Sequence, residues 1–210
     1  MKGYLNLMME ASLPDAVVKE DLSVEVKINQ VDFVHFANTV VFYSKDDTFE
    51  SFEAFIKSST EFINVVMSGV SLMIRGAIAF GEFYVDMETN SYIGRALIDA
   101  HLLNTEINWM GLCFDKTAVE TQNFDLFQEK FPRLINLSLS KTDKTNIFPP
   151  AVNWADKNYL NDINFDALKS LDACLERRST ELKERIEELN EIEKMIQKTK
   201  EFIIYCESKY

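Results

Sequence analysis

The sequence predicts an α+β fold: a mixed sheet carrying helices, followed by a long helical C-terminal segment. Three observations predict it. Short apolar runs alternate with helical patterns in the order strand, helix, strand, strand, helix, strand, and the closely spaced strand pairs argue against pure βαβ winding. The run Leu72–Gly81, LMIRGAIAFG, is apolar, short and punctuated by glycine, which reads as a strand buried on both faces. Residues 166–208 contain neither proline nor glycine and carry an apolar stripe through a heavily charged sequence.

In chain order, Met1–Ser12 reads as a short helix with an apolar side, ended before Pro14, while Asp15–Glu25 has no assignable pattern. Residues 24–37 (VEVKINQVDFVHFA) alternate as a strand and Thr39–Tyr43 is a second. So little chain separates the two that they must form a tight hairpin, with Asn38 near the turn, where a short polar side chain is tolerated. Lys45-Asp46-Asp47-Thr48 breaks the pattern and offers Asp or Thr as a helix cap. From Phe49 to Val66, Phe52, Phe55, Ile56, Phe62 and Ile63 recur at helical spacing, predicting a core-packed helix that stops near Ser68-Gly69.

Beyond the Leu72–Gly81 strand, Glu82–Val85 is a further strand or a continuation past a glycine kink, and Asp86–Ser91 is a hairpin turn or loop. Arg95–Ile107 is helical by the spacing of Leu97, Ile98, His101 and Leu102. Trp109–Phe114 is a strand, Thr117–Lys130 holds a helix ended by Pro132, and Leu134–Leu139 is a strand suited to an edge. Asn146–Lys157, with Pro149-Pro150, is irregular. Near the end, Leu175, Leu182, Leu189 and Ile196 follow a seven-residue repeat, the signal of a coiled coil or a helical hairpin. The expected division is an α+β domain over 1–160 and a helical appendage over 161–210, lying against its own domain or a second subunit.

Composition narrows the function. Lys plus Arg number 22 against 34 Asp plus Glu, a formal charge of -12, which argues against electrostatic capture of nucleic acid or an anionic membrane. A small nucleotide reached through a bound cation stays compatible. Cys113, Cys174 and Cys206 have no CxxC spacing and fit free thiols in a reducing compartment, so a cytoplasmic location is expected. With His35 and His101 the only histidines, a structural zinc site has no support.

Single residues have a plain and a functional reading. Arg75, a lone cation in an apolar run, is a strand-edge salt bridge or a phosphate or interface group. Glu82 and Asp86 join Asp46 and Asp47 in an acidic cluster or are ordinary loop carboxylates. His101, on the apolar side of its helix, is read as a packed histidine and Cys113 as a buried, inert thiol.

Phe36-Ala37-Asn38-Thr39, then a strand and a helix, then Arg75-Gly76-Ala77-Ile78-Ala79-Phe80-Gly81-Glu82, then Ile93-Gly94-Arg95-Ala96-Leu97-Ile98-Asp99-Ala100, resembles the class III nucleotidyl cyclase homology domain. It looks most like the divergent bacterial branch of adenylate and guanylate cyclases, in which a Phe-Ser-Asp-Ser-like hairpin precedes a Gly-X-X-X-Arg-Gly-Ala-Ile strand. The likeness covers about residues 30 to 115, with weaker support from Asn153-Trp154 and the C-terminal helix. It implies a ferredoxin-like mixed or antiparallel sheet with helices on one face, and a homodimer. It also implies a nucleoside triphosphate or cyclic nucleotide at Phe36, Ala37, Asn38, Thr39 and Arg75, with Arg75 the candidate catalytic group.

Active members hold two divalent cations, Mg2+ or Mn2+, between two aspartates, so that metal charge offsets what develops on phosphoryl oxygens. Here the hairpin aspartate falls on Asn38, a remnant position whose amide can coordinate a cation but does not neutralise it. No upstream segment matches the first metal-binding strand: Asp15 and Asp21 follow no apolar strand, and Asp32 lies on the hairpin itself. The positions for an Asn and an Arg on the next helix fall on Ile98 and Leu102. The implied function is a catalytically degenerate domain with a structural, regulatory or nucleotide-sensing role. The alternatives are an active divergent cyclase and a protein-interaction scaffold.

Overall fold

The computed structural model describes residues 8–13, 16–19, 21, 23–26, 30–36, 38–89, 91–136, 150–156, 166–182 and 185–208. The chain forms two compact units, Met1–Val70 and Ser71–Tyr210. The boundary expected at residue 160 falls outside the described residues.

In the first unit, residues 8–11 are helical and Met8 and Met9 are buried; the rest of that expected helix, residues 1–7, lies outside the described residues. The unassigned stretch after it holds a hairpin, β1 (Ala16–Val18) paired antiparallel with β2 (Val24–Val26). Its turn is tied by Asp21, whose carboxylate accepts hydrogen bonds from the Ser23 N–H and hydroxyl. The alternating run from residue 24 is therefore two strands, β2 and then β3 (Val31–Phe36). β3 and β4 (Thr39–Ser44) make the expected hairpin, in register from Val31 opposite Ser44 to Phe36 opposite Thr39.

Helix α1 (Phe49–Val70) follows. Its cap is the expected one: Thr48 Oγ1 accepts the Ser51 N–H at 3.3 Å, and Asp46 Oδ1 accepts the Thr48 N–H and hydroxyl. The phenylalanine row packs as predicted. Phe62 meets Phe42 edge-on at 5.3 Å, Phe42 lies 6.0 Å from Phe33, and Leu13, Val31 and Ala54 are buried beside them. The helix ends where expected, within a residue of Ser68-Gly69. It runs on to Val70, and Ser71 takes the left-handed conformation (φ 51°) usual just past a helix.

The second unit runs through β5 (Arg75–Ile78), the hairpin β6 (Tyr84–Asp86) and β7 (Ser91–Ile93), α2 (Arg95–Glu106), β8 (Gly111–Phe114), α3 (Lys116–Val119) and α4 (Gln122–Lys130). It continues through β9 (Ile135–Asn136), β10 (Ala151–Val152), α5 (Ala167–Glu181) and α6 (Ile186–Ser208). Its sheet has the order β5-β8-β10-β9, with β5 parallel to β8 and the other neighbours antiparallel, and helices pack on one face. The one sheet expected is thus this mixed sheet plus three two-stranded hairpins among the described residues.

β5 corrects the expectation of a strand buried on both faces. It is an edge strand with Arg75 exposed and only Ile78 buried, whereas β8 is buried throughout. An apolar run does not separate a central strand from an edge strand that a helix covers, and α2 packs on β5.

The C-terminal segment is a helical hairpin, α5 against α6, linked by the Lys200–Asp172 ion pair. The seven-residue row crosses from one helix to the other, with Leu182 at the α5 C-cap. The buried row of α6 is Ile196, Thr199, Phe202, Ile203 and Cys206. Phe202 lies 4.4 Å from the Trp109 ring, and the Thr199 hydroxyl accepts the Met110 N–H at 2.8 Å while donating to Met195 O. Among the described residues no helix is long and apolar enough to cross a membrane.

Candidate functional site

The later part of the first sequence signal, Ile78–Glu82, and the start of the second, Gly94–Asp99, meet at the carboxyl ends of the parallel pair β5 and β8, while Arg75 stands at the opposite end of β5. Ile78 O accepts the Asp115 N–H at 2.7 Å, and the Phe80 N–H donates to Thr117 Oγ1 at 3.1 Å. Asp115 caps α3, its Oδ1 accepting the Thr117 N–H at 2.9 Å and the Thr117 hydroxyl at 2.7 Å. Burial pushes the Asp115 carboxyl up, but the Thr117 N–H and hydroxyl and the neighbouring Lys116 outweigh it and hold the group below its ordinary value.

Helix α2 begins at the same end. Gly94 is its N-cap, and a Cβ there would stand 2.2 Å from Glu82 O and 2.7 Å from the Phe83 Cα. The backbone at Gly94 is ordinary extended chain (φ 162°), so close approach alone demands glycine. Ala96 N–H reaches Glu82 O at 3.4 Å. Arg95 Nε donates to both oxygens of Asp99 at 2.9 Å, one turn along, with Asp99 nearly buried and Arg95 exposed. The hydrogen bond and charge of Asp99, with a smaller contribution from Asp115, hold the Arg95 guanidinium above its ordinary value. The site thus offers two exposed cations at helix starts, Arg95 on α2 and Lys116 on α3, and carboxylates engaged in scaffold contacts. Among the described residues no group of three or more His, Cys, Asp or Glu is placed to hold a metal ion.

Among the described residues Arg75 makes no salt bridge. Its Nη1 donates to Ile107 O at 2.9 Å, capping the C-terminal end of α2, where a cation also suits the helix dipole. Phe36, Asn38 and Thr39 stand at the β3–β4 turn of the first unit, all exposed, and Ala37 lies outside the described residues. Phe36 and Thr39 are opposite one another; Arg75 belongs to the other unit and another sheet. Asp32 on β3 pairs with Lys45 at 3.7 Å.

The four loop carboxylates divide likewise, Asp46 and Asp47 in the first unit and Glu82 and Asp86 in the second. Hydroxyls lower two of them, Ser51 at Asp46 and Thr89 at Asp86, because both serve turns. His101 is exposed and not packed, since α2 turns it away from β5 along with Ile98 and Leu102. Cys113 is fully buried, and burial pushes its thiol up to about 12, which keeps it inert.

Two features escape the sequence. Arg133, Asn153, Asp156, Ile203, Cys206 and Glu207 line a cleft of about 200 Å³, in which Arg133 Nε lies 3.3 Å from buried Asp156. Asn153 is singled out in the sequence, but nothing there joins it to the end of α6. The second is the outer face of α2, where Ile98 is 53% and Leu102 55% exposed. An exposed apolar pair at helical spacing reads as core until its surroundings are known. Comparison with protein-family models, with curated proteins and with solved structures gives no match.

Proposed function

We propose that this chain is a nucleotidyl-cyclase-like module that acts by docking, in a structural or regulatory role, and does not make a cyclic nucleotide. The observation that carries this reading is the outer face of α2. Where the resemblance calls for an amide and a cation, the chain presents Ile98 and Leu102, both more than half exposed. Phosphoryl transfer needs groups that offset charge developing on phosphoryl oxygens, and two aliphatic side chains offset none. A solvent-facing apolar pair on a rigid helix is what a docking surface needs. Arg75 supports the same reading, because its guanidinium already serves the Ile107 carbonyl.

The test is incubation of the full chain with each of the four nucleoside triphosphates and Mn2+ or Mg2+, followed by mass spectrometry for cyclic products. The expected result is no product above a heat-denatured control. Product above that control refutes the reading in favour of an active divergent cyclase.

A further inference from the structure

The cleft of about 200 Å³ lies where the β9–β10 ladder meets the last turns of α6. The ladder runs one residue past the strands, with the Asn153 N–H donating to Leu134 O at 2.7 Å. That sets the Asn153 side chain beside the Arg133 backbone, and its Nδ2 donates to Arg133 O at 3.1 Å. The amide is thereby oriented, and its Oδ1 is an acceptor to which no described residue donates. Asn153 is only 6% exposed. The side-chain oxygens of Asn64 and Asn104 are sealed in without a partner, whereas Asn153 Oδ1 is not sealed, and the cleft is where it meets solvent. A nearly buried amide that keeps a bare acceptor at a cleft wall is suited to a donor on a ligand.

Charge and volume say which ligand. Buried Asp156 and exposed Glu207 line the same cleft, so its walls carry three acceptor groups, two of them anionic. A primary ammonium has three donors and one positive charge. Arg133 meets Asp156 through Nε at 3.3 Å, and a guanidinium presents its further N–H groups as a fork that suits a carboxylate. Two acids beside one base disfavour an inorganic anion, and no metal cluster stands here among the described residues. The volume equals that of about seven waters of liquid, room for about seven to nine non-hydrogen atoms. It is below the roughly 300 Å³ at which pockets for larger organic ligands begin, which excludes a nucleotide. We propose that the cleft binds a small aliphatic α-amino acid. Its ammonium is held by Asn153 Oδ1 and the Asp156 and Glu207 carboxylates, its carboxylate by Arg133, and its side chain by Ala155 and Ile203. The proposal is separate from the docking role of α2.

The experiment screens the full chain against the free L-amino acids by thermal melts and follows each rise in midpoint by titration calorimetry. At least one among alanine, serine, valine and leucine should raise the midpoint and bind with a submillimolar dissociation constant. The amine with the same side chain but no carboxylate should bind at least about 10-fold more weakly, because it forfeits the charge-assisted bond to Arg133. Inorganic phosphate should not bind.

Two variants place the binding in the cleft. Glu207→Gln, at an exposed position in the last turn of α6, should keep the fold and weaken binding about 10-fold, because the ammonium loses a charged acceptor. Arg133→Lys keeps a cation beside Asp156 but replaces the fork with a point charge, and should weaken binding by about as much. Circular dichroism checks that both variants fold. No rise in midpoint with any amino acid overturns the proposal. So does an affinity unchanged in either folded variant, or an amine that binds as tightly as its amino acid. The cyclase assay fails or succeeds independently: a cyclic product refutes the docking role without changing the amino-acid affinity, and a cleft that binds nothing creates no product.

Discussion

Gly94→Ala tests whether the start of α2 is fixed by close packing on the 82–83 backbone. The added Cβ would meet Glu82 O at 2.2 Å, the Phe83 Cα at 2.7 Å and the Glu82 carbonyl carbon at 2.9 Å. Ordinary carbon contacts need about 3.5–4.0 Å, so the backbone of one element must move by about 1 Å. Main chain cannot swing aside as a flexible side chain does, and overpacking of this kind costs about 1–3 kcal/mol. The loss of glycine's freedom in the unfolded chain works the other way by about 0.4–1 kcal/mol. The expected net loss is about 1.3 kcal/mol, or about 0.7 M in the urea midpoint.

Both tryptophans, Trp109 and Trp154, are buried in the second unit, so fluorescence during urea unfolding reports on that unit. Gly81→Ala is the control. There φ is +156° and the nearest atom, Ala96 N, is 3.5 Å from the new Cβ, so the cost is conformational and near 1 kcal/mol. A Gly94→Ala protein within about 0.5 kcal/mol of wild type, or one more stable than Gly81→Ala, refutes the packing account.

Thr199→Val keeps the side-chain shape and removes the hydroxyl that accepts the Met110 N–H. That buried N–H is then unpaired, and the second unit should lose about 1–3 kcal/mol, with Thr199→Ser closer to wild type; equal stabilities would show that the hydroxyl is not its partner. Burial on α1 raises the Glu61 carboxyl above its ordinary 4.5. Its protonated form favours the fold below that value, and this contribution is lost as pH rises through the folded value. Glu61→Gln should therefore be more stable than wild type at pH 7, by about 0.5 kcal/mol, with the gap closing towards pH 4. Thermal melts followed by circular dichroism check it, and a less stable variant at pH 7 would show that a partner favours the charged form.

Local signals in this sequence are legible because local chemistry causes them. The Thr48 cap, the hairpin at Asn38 and the phenylalanine row of α1 each follow from residues within a few positions of one another. Long-range choices are not legible in the same way. Nothing near Arg75 says that its partner is a carbonyl at residue 107, and an edge strand reads like a central one when a helix covers it. The β1–β2 hairpin escaped because its strands are three residues each, too short for alternation to register. His101 looked packed because it shares a helix side with Ile98 and Leu102, and that side turned out to face water.

The residues behind the cyclase resemblance fall into two groups once their contacts are known. Gly94 is required by Glu82, Arg75 by the Ile107 carbonyl, and Asp99 and Arg95 by each other. These explain a scaffold, and any protein that packs a helix start on this loop would need similar residues. Ile93, Ile98 and Leu102 have no such explanation, because they stand largely in solvent. Glu, Lys or Gln would serve the helix at 98 and 102 at least as well, with less exposed apolar surface. Stability alone therefore does not account for aliphatic residues at both positions. Function is best sought where the fold makes no demand, and in the second unit that points to the outer face of α2 more than to the carboxylates beneath it.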